Sequence, residues 1–142
     1  MERINKDNYY LNIAISVAAR STCLRHNFGA VIVKDDKIIS TGFNGAPSGF
    51  PHCYNTGCIR DKEGIPSGTR MERCRAVHAE QNAIIQGSNM KGAAIYVNGI
   101  PCITCCKMII NAGIVRVVYL DNDYPDKDGI NMLRGRIGVH AV

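Results

Sequence analysis

Four residues on two short stretches have the types and spacing of a metal-assisted hydrolytic centre. One stretch reads Val77-His78-Ala79-Glu80-Gln81-Asn82-Ala83-Ile84 and the other Ile100-Pro101-Cys102-Ile103-Thr104-Cys105-Cys106. Cys102 and Cys105 are three apart, so the first turn of a helix presents both sulfurs on one face. Thiolates at such a turn are favoured by the helix dipole and its free backbone N–H groups. His78 supplies a third ligand, and three protein ligands leave a tetrahedral zinc ion one open position for water. Glu80 lies two residues from His78 and points to nearly the opposite side of a regular helix. It need not ligate the metal and can flank the water as a proton shuttle, beside an ion that lowers that water's pKa toward ~7. Each fragment alone is weak, since a Cys-x-x-Cys pair is as readily redox-active or structural. In this order, at two helix starts, they point to a catalytic zinc.

The elements that must position these residues follow from hydrophobic periodicity. Asn8 to Ala19 reads as a helix with Asp7 as its N-cap. Gly29 to Val33 and Lys37 to Thr41 read as strands of a hairpin turning through Lys34-Asp35-Asp36. Residues 42–75, rich in Gly and Pro, break all periodicity. A helix from about His78 to Gln86, a strand Ala93 to Val97, a helix Ile103 to Asn111 and a strand Ile114 to Tyr119 follow. A short helix from Asp126 and a last strand Ile137 to Val142 complete the reading. This order predicts an α/β fold, a three-layer α/β/α sandwich on a mixed five-stranded sheet. Its later strands, joined by single helices, pair in parallel. In such a crossover fold the starts of the two site-bearing helices can meet at one end of the sheet.

Composition bounds the rest. The chain has 142 residues, 46% hydrophobic and 20% charged, which suits one domain over 1–142 and is neither disordered nor fibrous. No apolar run reaches the ~18 residues of a spanning helix, and the charged N-terminus lacks a signal-peptide core, so a cytoplasmic location is expected. There, seven cysteines are ligands or buried thiols rather than a disulfide framework. Asp121, Asp123, Asp126 and Asp128 gather against Lys127 alone. That stretch carries −3, so +8 falls on the remainder of a chain whose net charge is +5. The excess fits either an anionic partner or a plain solvated basic surface.

His78-Ala79-Glu80 with Pro101-Cys102-x-x-Cys105 resembles the signature of the zinc-dependent cytidine/deoxycytidylate deaminase superfamily. Gly42-Phe43-Asn44-Gly45-Ala46-Pro47, Arg73-Cys74-Arg75-Ala76-Val77-His78 and Val117-Val118-Tyr119 resemble its deoxycytidylate (dCMP) deaminase branch, a likeness running from about Tyr9 to Asp126. The resemblance implies a cytidine deaminase-like fold and hydrolysis of dCMP to dUMP and ammonia, a precursor supply for thymidylate synthesis. Water activated at the metal would attack C4 of the ring while Glu80 protonates N3 and then carries a proton to the leaving amine. The backbone N–H of Ala79 would hold a base oxygen. Asn44 resembles the family's substrate asparagine, although Asn44-Gly45 is also an ordinary turn dipeptide. Arg25 is the preferred ligand of a substrate phosphate, or else a surface arginine. Tyr119 either packs on the substrate or covers the core edge.

The segment 46–77 is a long insertion bearing Cys53, Cys58 and Cys74, with Cys23 outside it. Ligation of a second, structural zinc by Cys23, Cys53, Cys58 and Cys74 would fix a segment that has little apolar mass of its own. His26 and His52 are alternative ligands, buried free thiols are the plainer reading, and Cys106 is expected in the core. The resemblance further implies a homo-oligomer, a hexamer or a dimer, with dCTP and Mg²⁺ as activator and dTTP as inhibitor. Arg70, Arg73 and Arg75 could serve an effector, or be neutralised by Glu72, Asp61 and Glu63. The competing readings are a tRNA adenosine deaminase, a free cytidine or cytosine deaminase, and a non-catalytic zinc module that binds nucleic acid. Glu80 discriminates against the last, since a structural module has no use for a carboxylate beside an open metal position.

Overall fold

In one interior strand, alternate side chains belong to different cores. β1 (Gly29–Lys34) sends Ala30 and Ile32 to one face and Val31 and Val33 to the other, the period-2 alternation of a strand covered on both sides. The computed structural model, which describes residues 1–142, arranges this strand in a five-stranded sheet of order β2-β1-β3-β4-β5. In chain order the elements are α1 (Lys6–Ala18), β1, β2 (Lys37–Phe43), α2 (Cys53–Thr56), α3 (Ile59–Lys62) and α4 (Ala79–Gln86). Then come β3 (Ala94–Val97), α5 (Ile103–Asn111), β4 (Arg116–Tyr119), α6 (Asp128–Leu133) and β5 (Gly138–Ala141). β1 runs antiparallel to β2 and β3, whereas β3, β4 and β5 are mutually parallel. The mixed sheet and its parallel half match the sequence expectation, because each later strand follows a covering helix.

On one face α1 packs Tyr10, Leu11 and Ala14 against Val31, Tyr96 and Val118. On the other, α4, α5 and α6 bury Ala83, Ile109 and Leu133 against Ile32, Ile95 and Val117. Ile32, Ile95, Ile109 and Ile114 are fully buried, each worth ~1.5–3 kcal/mol of transfer free energy. Two glycines set how close the layers come. A Cβ on Gly29 would lie 2.1 Å from the Ala14 carbonyl oxygen, and one on Gly42 would lie 2.4 Å from both the Ala79 oxygen and the Ala83 nitrogen. α1 and α4 therefore rest directly on strand backbone.

The hairpin turn is the two-residue Asp35-Asp36, both left-handed at φ 51° and 60°. This twist matches the flanking strands. Asp36 is held by Lys6 Nζ at 2.6 Å and by the Tyr10 hydroxyl at 2.8 Å. One cap differs from the sequence reading. Asn5, not Asp7, caps α1, its Oδ1 accepting the N–H of Asn8 at 2.9 Å. Asp7 instead accepts two bonds from Arg116, each 2.7 Å, and one from the Tyr96 hydroxyl.

The segment between β2 and α4 is a loop closed at its neck. Gly45 and Val77 exchange both backbone bonds, at 3.1 and 2.8 Å. Beyond the neck, α2, α3 and a 3₁₀ turn at Met71–Arg73 are single turns, with Cys58 and Ile65 as buried apolar anchors. The ion pair Arg25–Asp61 ties it to the segment after α1, and Arg73–Glu63 crosses within it. No helix of the chain is long and apolar enough to cross a membrane.

Candidate active site

The starts of α4 and α5 meet. His78 and Cys102 are the N-cap residues of these helices, both in extended conformation, and Pro101 before Cys102 brings the chain into α5 in a fixed direction. The His78 N–H donates to Gln81 Oε1 at 2.8 Å, which anchors the cap to its own first turn. His78 Nδ1 then sits 3.5 Å from Cys102 Sγ and 3.3 Å from Cys105 Sγ, and the three atoms lie within 4.8 Å of one another. Nitrogen and sulfur donors on one tetrahedral zinc, with bonds of ~2.0–2.1 and ~2.3 Å, would be about 3.6 Å apart. The spacing therefore fits zinc, with Nδ1 as the ligating nitrogen.

The two thiols are coupled, Cys102 drawn toward the thiolate and Cys105 held as the thiol that donates to it. Cys102 is pulled down to about 4, first by the hydrogen bond with Cys105 and then by His78. Cys105 is pushed up by that same bond and by burial. Cys106, as expected, is fully buried. α6 presses against this corner without a side chain, since a Cβ on Gly129 would meet Cys106 Sγ at 2.8 Å and the Cys102 carbonyl at 3.0 Å.

Glu80 is 5% exposed, and burial, opposed by His78, raises its carboxyl above the ordinary range. With His78 and Cys102 it lines one cleft, open to solvent at its mouth. Asn44 lines the same cleft. Its Oδ1 accepts the Phe28 N–H and its Nδ2 donates to the His26 carbonyl, both at 2.9 Å, leaving one acceptor and one donor position unused. Ala79 is fully buried as the first residue of α4, where a backbone N–H has no intrahelical acceptor.

Other predicted residues lie differently. Arg25 lines the cleft, but its Nε is paired with Asp61 and its Nη2 with the Ile65 carbonyl, each at 2.6 Å. Tyr119 follows Val117 on the same face of β4 and is packed in the core. The aromatics of the cleft are Phe28 and Tyr124. Cys23, Cys58 and Cys74 line the cleft, and Cys53 stands close enough that these three thiols add to the burial that raises its own pKa. The four are free and are not drawn as tightly together as the His78 triad. Sequence reasoning missed Tyr124, read only as part of an acidic stretch, and Arg60, which stands in the aperiodic loop.

The profile described as the cytidine and deoxycytidylate deaminase zinc-binding region matches residues 4–121. A deoxycytidylate deaminase of Mycobacterium phage D29 is 42% identical over 84% of this chain and 97% of its own length. The deoxycytidylate deaminase of Saccharomyces cerevisiae is 33% identical over 90% of this chain, which spans only 41% of that longer relative. A crystal structure of dCMP deaminase from cyanophage S-TIM5, in complex with dCMP and dUMP, superposes with a TM-score of 0.80 at 29% identity, covering 99% of this chain and all of that one. The His-Cys-Cys triad at two helix starts and the match across most of the chain lead to one assignment: the chain belongs to the cytidine and deoxycytidylate deaminase family of zinc-binding proteins.

Proposed function

We propose that the chain, acting as one deaminase unit over residues 1–142, hydrolyses dCMP to dUMP and ammonia, a supply of precursor for thymidylate synthesis. The observation that carries this reading is Glu80, a carboxyl buried in the cleft beside the three-ligand centre. His78, Cys102 and Cys105 would hold a zinc ion, which when bound would supply a water nucleophile at neutral pH. The chain's own residues do the rest. A C–O bond forms at C4 of the cytosine ring and the C–N bond to the exocyclic amine breaks, so protons must reach N3 and the departing nitrogen. Glu80 holds and moves those protons. The Ala79 N–H and the open positions on Asn44 hold the base and sugar, and Phe28 and Tyr124 wall the ring from solvent.

A structural zinc on Cys23, Cys53, Cys58 and Cys74 belongs to the same proposal, supported by the convergence of four free thiols in a loop with few apolar anchors. The proposal extends to a homo-oligomer regulated by dCTP with Mg²⁺ and by dTTP, on the strength of family resemblance. Free thiols throughout support the cytoplasm as its compartment.

The test is ammonia release from dCMP, CMP, deoxycytidine and an anticodon stem-loop. dCMP should be the best substrate, and Glu80→Gln should reduce its turnover by ~10²–10⁴-fold while zinc content is unchanged. Turnover by Glu80→Gln within threefold of wild type, or a preference for the stem-loop, would overturn the reading.

A further inference from the structure

One charge in the cleft has no partner. Arg60, on the single turn α3, is 5% exposed. None of the five ion pairs of the chain includes it. Its Nε is buried without any hydrogen-bond acceptor, and its Nη1 reaches only Met71 Sδ at 3.3 Å, a weak acceptor. The neighbouring arginines differ. Arg25 is paired with Asp61, Arg70 with Glu72 and Arg73 with Glu63. Asp61 directly follows Arg60 in the chain yet turns to Arg25 across the loop. A guanidinium stays protonated at any physiological pH, and a buried charge left uncompensated is strongly unfavourable. Such a side chain is therefore matched to an anion that enters the cleft.

The position fits the substrate as well as the charge does. Arg60 lines the same cleft as Glu80, His78 and Asn44, and its charge is felt at Tyr124 on the cleft wall, where it opposes the upward push of burial on the hydroxyl. The cleft runs from His78 and Glu80 to the loop residues Arg60, Ser67 and Met71, so one ligand can touch both.

We propose that Arg60 is the specificity-determining residue of the site, its unpaired guanidinium receiving the 5′-phosphate of the nucleotide. The proposal rests on the reading of the chain as a dCMP deaminase, and it moves the phosphate from Arg25, already neutralised by Asp61, to a residue on the closed loop. The planar fork of Nε and Nη groups suits two phosphate oxygens. The floor of the site, on α4 and α5, handles the ring, and the loop identifies the nucleotide by its phosphate.

The experiment compares kcat/KM for dCMP and deoxycytidine in the wild type, Arg60→Met and Arg60→Lys. Removing one partner of a buried charge pair should lower dCMP turnover by roughly 10²-fold in Arg60→Met. Deoxycytidine turnover should stay within threefold, and Arg60→Lys should recover part of the preference. Equal losses on both substrates would make Arg60 merely structural and overturn the proposal, as would an unchanged preference in Arg60→Met. A measurement on the wild type alone guards against variants that fail to fold: dUMP must bind at least tenfold more tightly than deoxyuridine by calorimetry, and equal affinities would overturn the assignment. A wild type that deaminates neither dCMP nor deoxycytidine overturns the proposed reaction and this assignment with it. A wild type that prefers dCMP while Arg60→Met keeps that preference overturns the assignment only.

Discussion

Replacing Gly42 with alanine would test how the sheet positions the active site. The new Cβ would lie 2.4 Å from the Ala79 oxygen and the Ala83 nitrogen, where ordinary contact begins at 3.4 Å. The contact must therefore open by about 1 Å, and because β2 is an edge strand held on one side by β1 at Ala30↔Gly42, α4 and β2 share the separation. The displacement falls on the first turn, which carries His78 and Glu80. Overpacking of this size costs ~1–3 kcal/mol, a fall in Tm of roughly 3–10 °C for a chain of this length. A 1 Å misplacement of a catalytic group costs ~10²-fold in rate. We expect Gly42→Ala to lose about two orders of magnitude in kcat/KM for dCMP while retaining bound zinc. Gly138→Ala, whose Cβ would meet nothing closer than 3.4 Å, serves as the control and should behave as wild type. Calorimetry, metal analysis and ammonia release read the three quantities. Gly42→Ala with kcat/KM within threefold and Tm within 1 °C of wild type would refute the argument that α4 is seated on strand backbone.

Two further outcomes follow from side chains already described. Arg116 holds the Asp7 carboxyl below the ordinary carboxylate range, so the stability it contributes is present above the unfolded pKa of ~3.9 and lost as pH falls through the lowered folded value. Asp7→Asn should cost about 1 kcal/mol at pH 7 for this partly exposed pair, with the deficit shrinking toward pH 2; an equal deficit at both pH values in denaturant melts would contradict the ion pair. Metal analysis should find two zinc ions per chain, and a chelator should lower Tm and abolish turnover; one zinc per chain would remove the Cys23, Cys53, Cys58 and Cys74 site.

The readable parts of this molecule are those in which local chemistry decides. His78, Cys102 and Cys105 were legible because few residue types ligate zinc and because caps place them at helix starts. The strands and α5 were legible because apolar periodicity is strong and both faces of the sheet are covered. The misplaced cap shows the limit. Asn5 and Asp7 are both good caps, and what separates them is Arg116, a partner 109 residues away. Tyr119 and Tyr124 are a similar pair: strand alternation sends the first into the core beside Val117, and only the tertiary fold brings the second to the cleft. Arg60 was beyond reach for the same reason. Its significance lies in lacking the partner that its neighbours have, and one of those pairs, Arg25–Asp61, spans 36 positions.

The metal triad also acts on the unfolded chain. His78 is separated from Cys102 by 24 positions and from Cys105 by 27, and the stretch between them contains β3, an interior strand of the sheet. An ion gripping both ends is a cross-link. The chain-entropy relation for a closed loop of this size gives about 3.5 kcal/mol taken from the freedom of the denatured state. Loss of a ligand would thus release a knot in the chain as well as disable a reaction, and inactive ligand variants should be expected to unfold more readily than inactive Glu80 variants.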